Sequence, residues 1–185
     1  AAETRVSINS SARADTRFAV NQVTTSGENR DASVTITAYI GNQAGSVNTN
    51  RLDEASLAAA AKQAFEIAKL VPANPERMPE LGPQQTAPAK QRVVSLPTAA
   101  ERAGAAKKVT EQSRAAGLIA TGFIECCASS SALANSKGMF AYDSSDVVPM
   151  TATVRPQHGA GSGWECGAGA SFVGFVARRV VGGAV

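Results

Sequence analysis

The chain has 185 residues and a net charge of +3, with hydrophobic residues at 44% of its positions and aromatic residues at 5%. This length predicts one domain or two small ones, with enough apolar residues for a buried core. The scattered basic residues, the lack of interleaved aromatics and the short apolar stretches argue against nucleic-acid binding and against a membrane span.

Strands dominate the first part of the chain. Alternation of apolar and polar residues, or β-branched and aromatic content, predicts strands over residues 4–9, 17–23, 33–40 and 45–50. Turns are predicted at residues 26–29, where Ser, Gly, Glu and Asn follow one another, and at Gly41-Asn42. Strands joined by short turns in this order are typical of an antiparallel meander.

The apolar period then becomes that of a helix. Asp53 is a good N-cap, Glu54 lies in the first turn, and Leu52 and Leu57 are spaced as a hydrophobic staple. We therefore expect a helix over residues 54–70 that ends before Pro72. Its apolar face must pack on the apolar face of the sheet, because neither is stable when exposed.

A proline-rich connector is predicted next. Six of the eight prolines lie between Pro72 and Pro97, and proline at this density blocks both helix and ladder hydrogen bonds. A second helix is predicted over residues 99–116, because Thr98 and Glu101 have capping-box spacing and Gly117 is a suitable stop.

The last part of the chain returns to strands. These are predicted over residues 118–128, 132–136, 138–142 and 149–155, with a turn at residues 129–132. The sequence thus predicts an α+β fold, an antiparallel sheet meander packed by helices, in two small subdomains joined by a Pro-rich connector. The predicted boundaries are residues 1–71, 72–97 and 98–185.

The glycine-rich stretch from Gly159 to Trp164 does not have the spacing of a nucleotide-binding loop. A dinucleotide fingerprint needs glycine where Trp164 stands, and a phosphate-binding loop needs a following Gly-Lys-Ser/Thr. Ser162 lacks the glycine two residues before it that a nucleophile elbow requires. We interpret the stretch as a loop or a bulged hairpin tip.

Metal-ligating residue types are few. His158 is the single histidine, so it supplies one ligand or one general base and no pair. Cys126, Cys127 and Cys166 have suitable atoms, but adjacent residues of a strand point to opposite faces. We interpret Cys126 and Cys127 as strand residues, at least one of them buried, and Cys166 as a loop residue. Three cysteines form no disulfide framework, and reduced thiols are typical of a cytosolic protein.

The carboxylates suggest no catalytic pair. Asp53 and Glu54 have roles at a helix start, while Asp143 and Asp146 fall in a Ser-rich segment that predicts a turn in which aspartate caps its own backbone. No catalytic, metal-binding or cofactor-binding residue is therefore assigned, and substrate-binding residues are unknown from the residues alone.

Several segments follow one another in a recognisable order. In the first half these are Thr16–Asn21, Asn50–Leu57 and Ala64–Lys69, with Pro72 and Pro75. In the second half they are Ala116–Leu118, Gly122–Glu125, Ala132–Gly138 and Ser162–Gly163. This ordered series, spanning about Ala1 to Trp164, resembles the TldD/PmbA family of cytosolic bacterial and archaeal metalloproteases, sometimes described as modulators of DNA gyrase.

The resemblance implies subunits paired as a homo- or hetero-dimer around a chamber that admits unfolded peptides. It also implies a zinc-binding His-Glu-x-x-x-His helix in a C-terminal domain, which these residues do not contain, so no metal or other cofactor is expected in this chain. Residues 171–185 do not match the expected continuation. The implied role is the non-catalytic N-terminal and middle portion of a cytoplasmic metalloprotease, inactive alone. The alternative is a stand-alone binding or assembly module that regulates a partner without catalysis.

Overall fold

The computed structural model describes residues 3–85, 96–159 and 161–167, which form seven strands and two helices. In chain order these are β1 (Glu3–Ala19), β2 (Gln22–Ile40), β3 (Gln43–Thr49), α1 (Glu54–Leu70), α2 (Ala99–Ala115), β4 (Leu118–Asn135), β5 (Phe140–Val147), β6 (Met150–Pro156) and β7 (Gly163–Gly167). Hydrogen-bonded neighbours follow the order β3-β2-β1-β4-β6-β7, and β5 pairs with β4. The predicted α+β class, with an antiparallel sheet packed by helices, is confirmed.

Two compact units are built from interleaved stretches of the chain. Unit 1 comprises Ala1–Ser11, Asp31–Arg92 and Ser129–Ser144. Unit 2 comprises Ala12–Arg30, Val93–Ala128 and Ser145–Val185. The long strands β1, β2 and β4 therefore contribute to both units. The domain boundaries predicted at residues 71 and 98 stay a prediction.

In unit 1, helix α1 packs on the sheet through alanines at a spacing of four, Ala60, Ala64 and Ala68, which are buried. Ala60 and Ala64 meet Val34, Ile36 and Ala38 of β2 in one apolar core. The predicted bounds and cap of α1 are confirmed, because the Asp53 side chain accepts a hydrogen bond from the Ser56 backbone N–H at 2.9 Å.

Helix α2 closes the core of unit 2. Its predicted capping box is confirmed: Thr98 accepts from the Glu101 N–H at 3.2 Å, and Glu101 accepts from the Thr98 N–H at 2.7 Å. The helix ends at Ala115, one residue earlier than predicted, and Gly117 adopts a φ of +71°. The core that α2 covers is built from Phe18, Val109, Ala120, Ile124, Cys126, Met150, Ala152 and Val154, among others.

The predicted division of the first strands was wrong. Residues 4–9 and 17–19 belong to one strand, β1, and the turn predicted at residues 26–29 lies inside β2. The middle of β1 and the first half of β2 are mostly exposed and do not alternate between buried and exposed residues. Hydrogen bonds to neighbouring strands hold these parts in the strand conformation. The actual turn is Val20-Asn21, at φ of +50° and +59°. Valine gives no signal for such a turn, because β-branched residues rarely adopt positive φ.

Three predictions in the last part also need correction. Residues 129–132 continue β4, Asp143 and Asp146 lie in strand β5, and Cys166 lies in β7. Cross-strand pairing overrides the local turn preference of Ser and Asp at these positions. The hairpin about Lys137 and the predicted strand before Pro156 are confirmed.

Other predicted segments are described only in part. Residues 157–159, 161 and 162 connect β6 to β7, as expected of a hairpin tip, and Ala160 lies outside the described residues. The connector is free of helix and strand over residues 72–85, while residues 86–95 lie outside the described part, as does the tail over residues 171–185.

Candidate functional site

The potential zinc ligands do not converge. Cys126 is buried, Cys127 is half-buried, and Cys166 and His158 are exposed. Within residues 3–85, 96–159 and 161–167, no group of three or more His, Cys, Asp or Glu side chains is placed to hold a metal ion. Burial raises the pKa of the Cys126 thiol to about 11, so it stays protonated and is a poor ligand at neutral pH. These residues do not fit a zinc centre.

The aspartates considered from the sequence serve separate purposes. Hydrogen bonds from the Ser56 backbone and side chain lower the pKa of Asp53, as expected of a helix cap. Asp143 lines a hollow in unit 1. Asp146 lies on β5 beyond it and has a partner of its own.

A cluster of charges in unit 1, the Glu3 cluster, consists of Glu3, Arg5, Arg77, Glu80 and Lys137. Lys137 Nζ lies 2.7 Å from Glu3 Oε1, and Arg77 Nη2 donates to Glu3 Oε2. These hydrogen bonds, that of Lys137 foremost, lower the pKa of Glu3 to about 2. Arg5 and Glu80 form a further pair at 3.6 Å.

The Glu3 cluster fastens the proline-rich segment to the sheet. Arg77 lies 4.2 Å from the ring centre of Tyr39 and donates to the Gly41 carbonyl at 2.6 Å. Burial, with a smaller contribution from a hydrogen bond to Glu80, raises the pKa of Tyr39. Because the charges are used in pairing, we assign the cluster a structural role. The sequence contained no signal for it, since its members are far apart in the chain.

Unit 1 has an open hollow beside an edge strand. Its volume is about 340 Å³, and its lining includes Ser7, Asn9, Ser131, Leu133, Ala141 and Asp143. Strand β5 pairs with β4 on one side, and no other described strand lies on its opposite side. Phe140 and Tyr142 alternate with Ala141 and Asp143 along this strand and are 62% and 37% exposed. Over residues 140–143, the outer edge of β5 thus has backbone groups that no described strand pairs with, next to exposed aromatic rings and the hollow.

Unit 2 has a second hollow, of about 390 Å³. Its lining includes Arg17, Thr24, Thr121, Phe123, Thr151 and Thr153. Gly122 forms part of its lining, and a Cβ there would come closer than 3.0 Å to the Thr151 carbonyl and the Phe18 ring. Sequence reasoning missed both hollows, because their walls come from strands distant in the chain.

The described residues include no helix that is long and apolar enough to cross a membrane. The candidate functional features of the described residues are therefore the strand edges and the hollows of the two units. They are not a group of catalytic side chains.

Comparison with known proteins places these features in a family context. Residues 5–68 match the family model described as PmbA/TldA metallopeptidase domain 1. No curated protein sequence matches the chain.

Solved structures share the fold at low sequence identity. TldE from Thermococcus kodakarensis superposes with a TM-score of 0.81 at 12% identity, covering 97% of this chain and 43% of its own. A Thermotoga maritima protein, named for a proposed role as modulator of a DNA gyrase, gives a TM-score of 0.78 at 15% identity, with coverages of 99% and 44%. A similarly named protein from Bacteroides thetaiotaomicron gives 0.70 at 13%, with coverages of 90% and 40%. The chain thus spans less than half the length of these proteins.

Proposed function

We propose that the chain is a non-catalytic portion of a TldD/PmbA-like zinc metalloprotease, a proposal supported by the match of residues 5–68 to the model of PmbA/TldA metallopeptidase domain 1. In this role it forms part of the wall of a peptide chamber and a contact with a second subunit. Two observations carry the proposal: the match of residues 5–68, and the lack, among the described residues, of any group of His, Cys, Asp or Glu side chains placed to hold zinc. The hydrolytic metal then belongs to polypeptide outside these 185 residues.

The edge of β5 in unit 1 is the proposed contact for extended peptide. A peptide added there would pair with the backbone groups of residues 140–143 on the outer edge of β5 and continue the antiparallel sheet. Because side chains alternate along a strand, Ala141 and Asp143 would contact the peptide on one face of β5, and Phe140 and Tyr142 would contact it on the other. Ala141, Tyr142 and Asp143 all line the hollow. Backbone pairing of this kind accepts many sequences, as chamber-type proteolysis of unfolded peptides requires.

A binding experiment tests this contact. The probe is a labelled, uncharged Thr/Val-rich peptide, and fluorescence anisotropy measures its affinity for the parent and for the double variant Phe140→Ser, Tyr142→Ser. We expect roughly tenfold weaker binding, because two aromatic contacts of about 0.5–1.5 kcal/mol each are lost. Leu70→Ser is the control, because Leu70 is 85% exposed on α1, away from the hollow. Equal affinity of the double variant and the parent would refute the assignment of β5.

The enzymatic role is tested by reconstitution. The chain is mixed with a full-length family member that carries His-Glu-x-x-x-His, and cleavage of an unfolded peptide is followed with and without a chelator. We expect no cleavage by the chain alone and a chelator-sensitive increase when the two proteins associate. Binding without any change in cleavage would instead favour the alternative role, that of a module regulating a partner without catalysis. The gyrase-related names of two structural neighbours make gyrase one partner to include in that comparison.

We also propose a cytoplasmic location and a homo- or hetero-dimeric assembly. The location is supported by the cysteines, since Cys126, Cys127 and Cys166 are all free thiols and disulfides are rare in the cytosol. The scattered positive charge gives no support to a nucleic-acid partner.

A further inference from the structure

The hollow of unit 2 contains an arginine, Arg17, that has no ion-pair partner among the described residues. The guanidinium of Arg17 lies 4.9 Å from the ring centre of Phe123, a distance typical of a cation–π contact. Within the described part of the chain it forms no ion pair, whereas Arg13 of the same strand lies 3.1 Å from Glu125 Oε1. Among the described residues that line the hollow, Arg17 is the one that is charged, and its charge is positive.

Two hydroxyl groups face the same space. Thr121 of β4 pairs directly with Thr153 of β6, and directly opposed residues of an antiparallel pair have neighbouring side chains on one face. Both residues line the hollow with Arg17. Neither hydroxyl has a hydrogen-bond partner among the described residues, whereas Thr24 and Thr151 donate to the carbonyls of Arg17 and Phe123.

This row of side chains continues to the edge strand of unit 2. Thr153 pairs with Trp164 of β7, so the Trp164 side chain lies next to that of Thr153 on the same face. Trp164 is 66% exposed. The face therefore presents a positive charge, two free hydroxyls and an aromatic surface side by side.

We propose that the hollow of unit 2 binds the carboxylate side chain of an acidic, extended peptide. Five guanidinium N–H donors and two hydroxyls suit a carboxylate, which accepts several hydrogen bonds. Stacking on Phe123 restricts Arg17, so less side-chain freedom is lost on binding. The exposed Trp164 covers apolar parts of the same peptide. This inference rests on the proposed handling of extended peptides and adds to it a preference for Asp and Glu.

The single tryptophan of the chain, Trp164, reports binding directly. Its fluorescence is titrated with two peptides that differ only in Asp against Asn at one central position. We expect the Asp peptide to bind roughly tenfold tighter, because hydrogen bonds to a charged carboxylate are stronger than those to a neutral amide. In Arg17→Met this ratio should fall to near one, and in Arg17→Lys it should be partly restored. Arg13→Met is the matched control and should keep the parent ratio.

Three results would overturn the inference: equal affinity of the Asp and Asn peptides for the parent, an unchanged ratio in Arg17→Met, or equal loss of the ratio in Arg13→Met. Saturation of the same Trp164 signal by inorganic phosphate at matched ionic strength, with the same dependence on Arg17, would assign the hollow to small anions instead. Failure of the proposed β5 contact is distinguishable, because that contact is read from the affinity of the Thr/Val-rich peptide for the double variant Phe140→Ser, Tyr142→Ser. The present inference is read from the Asp-to-Asn affinity ratio in the Arg17 variants.

Discussion

The packing of α1 against β3 depends on a missing side chain at Gly45. A Cβ added to Gly45 would come closer than 3.0 Å to the Ala64 carbonyl oxygen, the Ala68 backbone nitrogen and the Ile67 Cβ. Two of these atoms belong to the helix backbone and cannot rotate away, so α1 as a whole must move. The buried alanines of α1 fit the sheet only at close approach, and such a movement opens the core of unit 1.

The substitution Gly45→Ala therefore tests this contact. Overpacking typically costs about 1–3 kcal/mol, and the backbone clash places this variant at about 3 kcal/mol or more. For a chain of this size, 1 kcal/mol shifts Tm by about 2–4 °C, so we expect a decrease of roughly 6–12 °C. Differential scanning calorimetry measures the shift, and urea unfolding measures the free energy.

Gly104→Ala is the matched control. Gly104 is exposed on α2, and a Cβ there meets nothing within 4 Å. Because alanine favours helix over glycine by about 1 kcal/mol, this variant should be more stable than the parent, with a Tm higher by roughly 2–4 °C. A Tm of Gly45→Ala equal to or above that of the parent would refute the close packing of α1 on β3.

Two further predictions concern ionisation. The folded pKa of Glu3, about 2, lies below its ordinary value near 4.5, so its contribution to stability is present above that value and is lost as pH falls towards 2. Lys137→Met should raise the Glu3 pKa measured by NMR and move acid unfolding to higher pH, while the exposed Lys62→Met should not. An unchanged Glu3 pKa in Lys137→Met would contradict the pairing. For the thiols, exposed Cys166 should react with iodoacetamide at pH 8 before buried Cys126 does, as peptide mass mapping would record; the reverse order would contradict the burial of Cys126.

The helices could be predicted because their signals are local. Asp53 and Thr98 each lie within three residues of the backbone N–H groups that they cap, so sequence alone contains both partners. The alanine spacing of α1 likewise specifies the buried face without knowledge of the sheet.

The strand ends could not be predicted, because they depend on partners distant in the chain. The Asn21 side chain donates to the Leu118 carbonyl at 2.8 Å and accepts from the Ala120 N–H at 2.8 Å. These bonds stabilise the tight turn between β1 and β2. The turn residues themselves, Val20 and Asn21, do not form a recognisable hairpin-turn sequence. The β4 strand likewise continues past Ser129, because pairing outweighs the turn preference of serine.

The candidate sites depend on long-range pairing in the same way. Arg17 and Phe123 meet across unit 2 although neither belongs to a motif. The sequence assigned no catalytic or ligand-binding role to the glycine-rich stretch or to the aspartates, and this stays a prediction. It could not indicate which polar residues remain without partners once the sheet has formed, since only the pairing of Thr121 with Thr153 places them together.

A hydrolysis assay on the chain alone tests the central claim most directly. The purified chain is dialysed against zinc, its metal content is measured, and cleavage of an unfolded peptide is followed with and without a chelator. A donor set limited to one exposed histidine and three dispersed thiols predicts substoichiometric zinc and no chelator-sensitive cleavage. One tightly bound zinc per chain, with cleavage that a chelator abolishes, would contradict a non-catalytic role.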